Sequence, residues 1–343
     1  MLTARSSPGS PAPNLYVHFP FCRSRCSYCS LYSRAGSSAA ERVRYVESVG
    51  AALASAPGRP LKTVYFGGGS PALCDLAPLG GALAPLVGAE TEFTVELHPL
   101  DVTRAKLDEL KSIGVNRISL GVQSLDDAIL EHMGRGYGFH DAERAFALAK
   151  ESFDNVGIDL IVGYPGETAA LSPRHARLAR WGLRHCSVYS LQNERGLSGA
   201  ADDDTVMNRI SVVSRFLADI GLGRYEISNY AVPGFECRHN LAVWRGEDYT
   251  GVGEGACGRE GLVRTRGRRC GYDAEEVSPE ADRRERTMFR LRTREGLDTS
   301  GFPEWRAALD RFAAEGALSR RGDVYFLTER GTEVCDAILA EIV

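Results

Sequence analysis

Six short apolar, β-rich runs punctuate the first part of the chain, each followed by a polar or glycine-rich break: Leu15–Phe19, Thr63–Phe66, Phe93–Leu97, Arg117–Gly121, Val156–Val162 and Cys186–Leu191. Helix-like stretches lie between them, at 40–55, 103–113, 125–133, 140–152 and 168–182. Strands that alternate with helices join as parallel βαβ units. Six in succession predict an α/β fold with a partial (β/α)6 barrel, an open doubly wound sheet being the competitor. A chain of 343 residues, 43% of them hydrophobic, can fill such a core and still carry a small appendage.

The chemically unusual residues cluster at the ends of these runs. Cys22-x-x-x-Cys26-x-x-Cys29 follows the first, Gly67-Gly68-Gly69 the second, Glu96 closes the third, Gln123 follows the fourth and Tyr164-Pro165-Gly166 the fifth. C-terminal strand ends are where a β/α barrel builds its active site. After about residue 192 the rhythm fades. Asp202-Asp203-Asp204 opens a helical segment to about 220, and 223–260 reads as irregular or β-rich. A helix at 283–292, another at 302–315, a strand at Val324–Leu327 and a final helix predict a small winged-helix-like α/β appendage.

Composition removes several classes of function. A net charge of −4 argues against a nucleic-acid partner, and the run Arg264, Arg266, Arg268, Arg269 reads as a solvated loop. Residues 1–14 are rich in Ser, Pro and Gly and lack an apolar signal region, and no run of about eighteen apolar residues occurs, so a cytoplasmic protein without a membrane span is expected. In that compartment the nine cysteines read as thiols or metal ligands rather than as disulfides.

Three closely spaced thiolates can hold three irons of a cubane cluster and leave the fourth open to a ligand, whereas an electron-transfer cluster usually has four cysteines. On spacing alone, a zinc site completed by a distant histidine, or three incidental thiols, stays open. A triple glycine lets a ligand approach the backbone and offers N–H groups to a carboxylate, though it also makes a simple tight turn.

The segment Tyr16-Val-His-Phe-Pro-Phe-Cys22-Arg-Ser-Arg-Cys26-Ser-Tyr-Cys29 resembles the cluster loop of radical-SAM proteins, specifically the family that contains oxygen-independent coproporphyrinogen oxidase (HemN) and the haem chaperone HemW. The resemblance implies a [4Fe–4S] cluster on Cys22, Cys26 and Cys29, whose open iron chelates S-adenosylmethionine and whose electron cleaves it to a 5′-deoxyadenosyl radical. Gly67-Gly68-Gly69-Ser70-Pro71 is similar to the family's GGGTP segment, which assigns Gly68, Gly69 and Ser70 to the methionine end of the cofactor. Glu96 resembles the residue that meets its amino or ribose groups. Gln123, in the closely matching stretch that begins at Gly114, corresponds to a cofactor-contacting position, as do Arg135 and Asp159, while Tyr16 and Tyr28 are expected to pack on adenine. The implied organisation is a flexible tail over 1–14, a core barrel over 15–222 and the family's C-terminal region over 223–343.

Within that family three features point to the haem-chaperone branch. Only fifteen residues precede Tyr16, where the oxidase carries a longer segment. Arg224-Tyr-Glu-Ile-Ser-Asn-Tyr-Ala-Val-Pro-Gly resembles that branch's YEISNFAKPG and Arg238-His239-Asn240-Leu-Ala-Val-Trp244 its HNxxYW, and the tail Leu327-Thr-Glu-Arg-Gly resembles its C-terminal domain. The branch implies haem binding and transfer to apo-proteins, an electron donor, and compatibility with a homodimer. His239 and Trp244 are then the candidates for haem contact, and His18 and His98 orienting residues. Cys237, Cys257 and Cys270 read as thiolate donors or as small buried hydrophobes. The alternative is a radical-SAM oxidoreductase acting on a porphyrinogen or another substrate. Ser30-Leu31 after the third cysteine, Val243 in place of the motif's Tyr, and a short 192–204 segment depart from the pattern.

Overall fold

The computed structural model describes residues 13–55, 60–168, 170–194, 196–269 and 271–342. Its centre is six parallel strands, β1 (Asn14–Phe19), β2 (Thr63–Gly68), β3 (Glu92–Leu97), β4 (Arg117–Gln123), β5 (Asn155–Val162) and β6 (His185–Ser190), hydrogen-bonded in chain order. They match the six apolar runs to within a few residues. The strands are buried along almost their whole length, as parallel strands covered on both faces must be. Leu15 stands beside Val64 and Val64 beside Phe93, while Val95 meets Ile118 and Ile118 meets Val156.

The crossover helices begin where short polar side chains cap them. Ser38 and Glu41 form a capping box at α1 (Ala39–Ala54), Thr103 caps α2 (Arg104–Ser112) and Asp126 caps α3 (Asp127–His132), each satisfying an amide that the first helical turn leaves unpaired. Next comes α4 (Phe139–Ser152), whose Phe139, Ala142, Phe146 and Ala149 press onto the sheet. The helix expected over 168–182 contracts to α5 (Pro173–Leu178), because Pro173 lacks an N–H and biases its predecessor away from helical geometry. Asp202 caps α6 (Asp203–Asp219).

The stretch that read as irregular turns out to extend the sheet at both edges. Beyond β6 lie two short antiparallel strands, β7 (Gly223–Arg224) and β8 (Asn229–Ala231), with β8 next to β6. Helix α7 (Arg238–Trp244), which the sequence reading missed, then carries the chain under the barrel. On the other edge β9 (Tyr249–Val252) runs parallel to β1 and leads into an antiparallel ribbon of β10 (Cys257–Glu260), β11 (Val263–Gly267) and β12 (Tyr272–Glu276). Among the described residues twelve strands thus form one sheet whose two edge strands do not pair, a partial barrel rather than a closed one.

This sheet crosses residue 222, the expected end of the core. Of the tail expected over 1–14, residues 1–12 lie outside the described residues, and Asn14 is buried in β1 with its amide donating to the Asp248 carbonyl at 3.0 Å. After the ribbon, α8 (Pro279–Phe289) leads to a three-stranded sheet of Leu297–Asp298, Leu318–Arg321 and Val324–Leu327 with its own core around Leu291, Trp305, Tyr325 and Ile338.

Candidate cluster and cofactor site

At the C-terminal ends of the strands a cavity of about 530 Å³ is lined by Cys22, Cys26 and Cys29 on one side and by Glu96, Gln123, Arg135 and Asp159 on the other. The cysteine loop is stapled at its base, where Phe21 and Cys22 pair with Arg34 and Ala35. Farther along, the Ser27 amide donates to the Met133 carbonyl and its hydroxyl meets the Tyr164 hydroxyl at 2.8 Å, joining the loop to α3 and to the turn after β5. Arg23 pairs with the buried Asp101, which also accepts from the Ser70 hydroxyl at 2.6 Å. Burial pushes the Cys22 thiol up, and the neighbouring Cys29 and Cys26 add to that.

Among the described residues no three His, Cys, Asp or Glu side chains converge as tightly as a single ion requires. The three thiols instead share the wall of a cavity large enough for a multi-atom cluster and a bound small molecule. The glycine turn fits the loop to that wall. A Cβ at Gly69 would lie 2.5 Å from the Phe21 carbonyl oxygen and 2.9 Å from Cys22 Sγ, and one at Gly68, where φ is +106°, would strike the His18 ring. The turn's amides are not the open carboxylate cradle that the triple glycine suggested. Gly68 N donates to Glu96, Gly69 N to the Phe19 carbonyl and Ser70 N to the Phe21 carbonyl. The glycines serve close approach of loop to strand.

Glu96 brings a carboxylate into the cavity wall from β3. It accepts from the Tyr65 hydroxyl at 2.8 Å and from Gly68 N at 3.1 Å. Burial, with the charge of Asp159 behind it, pushes its carboxyl up to about 7. A buried acid in that state gains from a cation, and an ammonium such as that of an amino acid would restore its ionised form. Asp159, also raised by burial, accepts from the Ser119 hydroxyl at 3.1 Å and keeps acceptor capacity toward hydroxyl groups in the cavity.

Arg135 spans the floor. Its guanidinium donates to the Gly121 carbonyl at 2.6 Å, to the Tyr28 hydroxyl at 3.3 Å and to Cys26 Sγ at 3.4 Å, so one cation ties β4 to the cysteine loop. Gln123 adopts φ 69°, the one positive φ outside glycine among the described residues, at a bulge that ends β4. A γ-branchless amide side chain held in that conformation at a cavity wall marks a position where geometry outranks backbone comfort. His98 lines the cavity too. Burial lowers it to about 3, and its Nδ1 accepts from the Leu100 amide at 3.2 Å, leaving it neutral.

Several of the residues singled out from the sequence lie elsewhere. Tyr16 is not in the cavity wall but one layer below it, its hydroxyl 2.9 Å from His18 Nδ1 and its ring against Tyr65 and His239. His239 is buried inside the lower barrel, with Nδ1 2.8 Å from the Thr63 hydroxyl, and is lowered to about 3 by burial and then by the Arg117 charge. Trp244 lines a separate cavity under the ribbon. Cys237 is buried against Glu92, and Cys270 lies outside the described residues. The cavity also recruits Tyr65, Asp101, Tyr189 and Gln192, which the sequence reading passed over. Tyr65 and Tyr189 stand on the inner face of their strands in period-two register, a signal that could have exposed them.

Comparison with known proteins agrees with this arrangement. A family profile described as the Radical SAM superfamily matches residues 16–178. The chain is 31% identical to the protein named heme chaperone HemW of Mycobacterium tuberculosis, over 97% of this chain and 95% of that one. It is 34% identical to HemW of Escherichia coli, over 73% and 70%. Among solved structures, coproporphyrinogen III oxidase (HemN) of Escherichia coli superposes with a TM-score of 0.82 over 96% of this chain and 89% of that one, at 19% identity, a likeness of fold.

Proposed function

The chain belongs to the radical-SAM superfamily and, within it, to the HemW family, and from that premise we propose that it is a haem chaperone that carries a [4Fe–4S] cluster and S-adenosylmethionine and hands haem to apo-proteins. The observation that carries the cofactor part is the meeting, across one cavity, of three thiols from a single loop with a buried acid raised to about 7.

Cys22, Cys26 and Cys29 would hold the cluster, which when bound supplies one electron and an open coordination position. Glu96 is placed to receive the amino group of S-adenosylmethionine, and Asp159 and Gln123 its hydroxyl-bearing part. Tyr28 offers the cavity an aromatic face. Arg135 holds the cysteine loop against β4 and brings a cation beside Cys26, where it offsets the charge of a ligating thiolate. Gly68, Gly69 and Ser70 fix the distance between that loop and Glu96. The proposed core, 15–222, contains every one of these residues, while 223–343 supplies the ribbon and the appendage. No helix among the described residues is long and apolar enough to cross a membrane.

Anaerobic reconstitution with iron and sulfide, EPR of the reduced protein with and without S-adenosylmethionine, and haem titration of the same sample test the proposal. The expected result is a cubane signal that the cofactor perturbs, together with saturable haem uptake. A cluster indifferent to S-adenosylmethionine would overturn the cofactor assignment. Production of 5′-deoxyadenosine that depends on a porphyrinogen would favour the oxidoreductase instead.

A further inference from the structure

A second large cavity, about 480 Å³, opens between the ribbon, the end of α7 and helix α8. Its size falls within the range of small-molecule sites, and its wall is mostly apolar. Trp244, Tyr249 and Phe289 supply aromatic surface, the Trp244 and Phe289 rings meeting edge to face at 5.8 Å.

Strand register decides what else faces this space. Cys257 stands directly opposite Arg266, and Arg259 directly opposite Arg264, so thiol and cations share one face of the ribbon. Cys257 is exposed. Arg259 pairs with Asp282 and Glu285 of α8 and is 6% exposed, yet its Nε finds no hydrogen-bond partner among the described residues. Arg264 lies between Glu285 and its cross-strand neighbour Glu275. Two other acids in the wall are already matched, Asp273, which stands directly opposite Arg266 across the strands, by Arg268, and Glu247 by Lys62. Among the described residues no carboxylate pairs with Arg266.

We infer that this cavity is the haem site, with the macrocycle on Trp244, Tyr249 and Phe289, Cys257 as the donor to iron, and Arg266 receiving a propionate at the open edge. The inference rests on the haem-chaperone reading and gives it a place. A flat apolar ring bearing carboxylates at one edge needs an aromatic wall, a cation not held in an ion pair and a donor for the iron, and all three line this cavity. On ligation the Cys257 thiol gives up its proton to solvent and no electron moves. His239, by contrast, is buried outside the wall of this cavity, its ring 6.4 Å from that of Tyr249 and its Nδ1 engaged by Thr63.

The test is titration of the full-length, cluster-loaded protein with haem, following the Soret band and the ferrous–CO spectrum. Wild type is expected to bind saturably and to show the red-shifted ferrous–CO band that thiolate ligation gives. Cys257→Ser should lose that band, and Arg266→Glu should weaken binding about tenfold through a lost charge-assisted hydrogen bond. Both variants should keep the wild-type EPR response to S-adenosylmethionine, which shows that they fold. Wild-type affinity and spectrum in both variants would overturn this site while leaving the chaperone reading intact. Absence of saturable binding in the wild type would overturn the reading and the site together.

Discussion

Two glutamates on one strand, four residues apart and on the same inward face of β3, live in opposite circumstances at the two ends of the barrel. At the lower end Glu92 is saturated, accepting from Arg238 N and His239 N at 3.1 Å and from the Cys237 thiol. Helix α7 is thereby fastened as a plug under the sheet. At the upper end Glu96 meets a hydroxyl and one amide and faces a cavity, and its carboxyl is pushed up to about 7. Residue type, strand and face are shared, so what separates the structural acid from the ligand-seeking one is the number of donors that distant segments bring to it.

The largest effect expected belongs to the upper end. Cys26→Ala should abolish the cubane EPR signal altogether while leaving the far-UV circular dichroism unchanged, because Cys26 lines the cavity rather than the core. A retained signal would mean that the cysteine loop is not the ligand set. At the lower end, Glu92→Ala removes the acceptor for two amides and a thiol, and should cost about 3–5 kcal/mol in urea unfolding. An unchanged midpoint would break the distinction drawn between the two glutamates.

The pH dependence sharpens the contrast. Glu96 is raised in the folded protein from its ordinary 4.5 to about 7, so the folded state holds its proton more tightly than the unfolded chain. Its contribution favours folding below pH 4.5 and is lost as pH rises to about 7, a change on the order of 3 kcal/mol in the cofactor-free protein. Glu96→Gln should flatten that slope in unfolding measured at several pH values, with a residue left by Asp159, which burial raises in the same direction. An unaltered slope would place the proton elsewhere.

The same substitution should weaken S-adenosylmethionine about tenfold or more by isothermal titration, since a charge-assisted bond is worth about 1.5–3 kcal/mol. Wild-type affinity should itself rise with pH up to about 7, as the carboxylate form becomes available to an ammonium. A flat affinity profile would remove Glu96 from the amino-group site. The smallest effect is Gln123→Gly, which relieves a φ of 69° and should stabilise the fold by about 1 kcal/mol while lowering cofactor affinity. Stabilisation without loss of affinity would make Gln123 a simple turn residue.

Much of the upper end was legible in the chain itself. The six apolar runs became the six parallel strands, and the cysteines, Gly68, Gly69, Glu96 and Gln123 reached one cavity because each sits at or just beyond a strand end and parallel topology sends those ends to the same side; Asp159 joins them from within β5 and Arg135 from the turn after α3. The lower end was not. Tyr16 and His239 looked like site residues by their motifs, yet both stack in the barrel interior, and the ribbon strands were too short and glycine-rich to carry a clear alternation.

What the sequence by itself determined, then, is everything set by local spacing: the βα rhythm, the helix caps, the three thiols on one loop and the placing of polar residues at strand ends. What only the tertiary structure decided is which polar groups end up satisfied. His239 finds Thr63 across 176 residues and Glu92 finds Cys237 across 145, while Glu96 is left with a cavity in front of it. Burial and partner number are properties of contacts between segments far apart in the chain, and no local pattern encodes them.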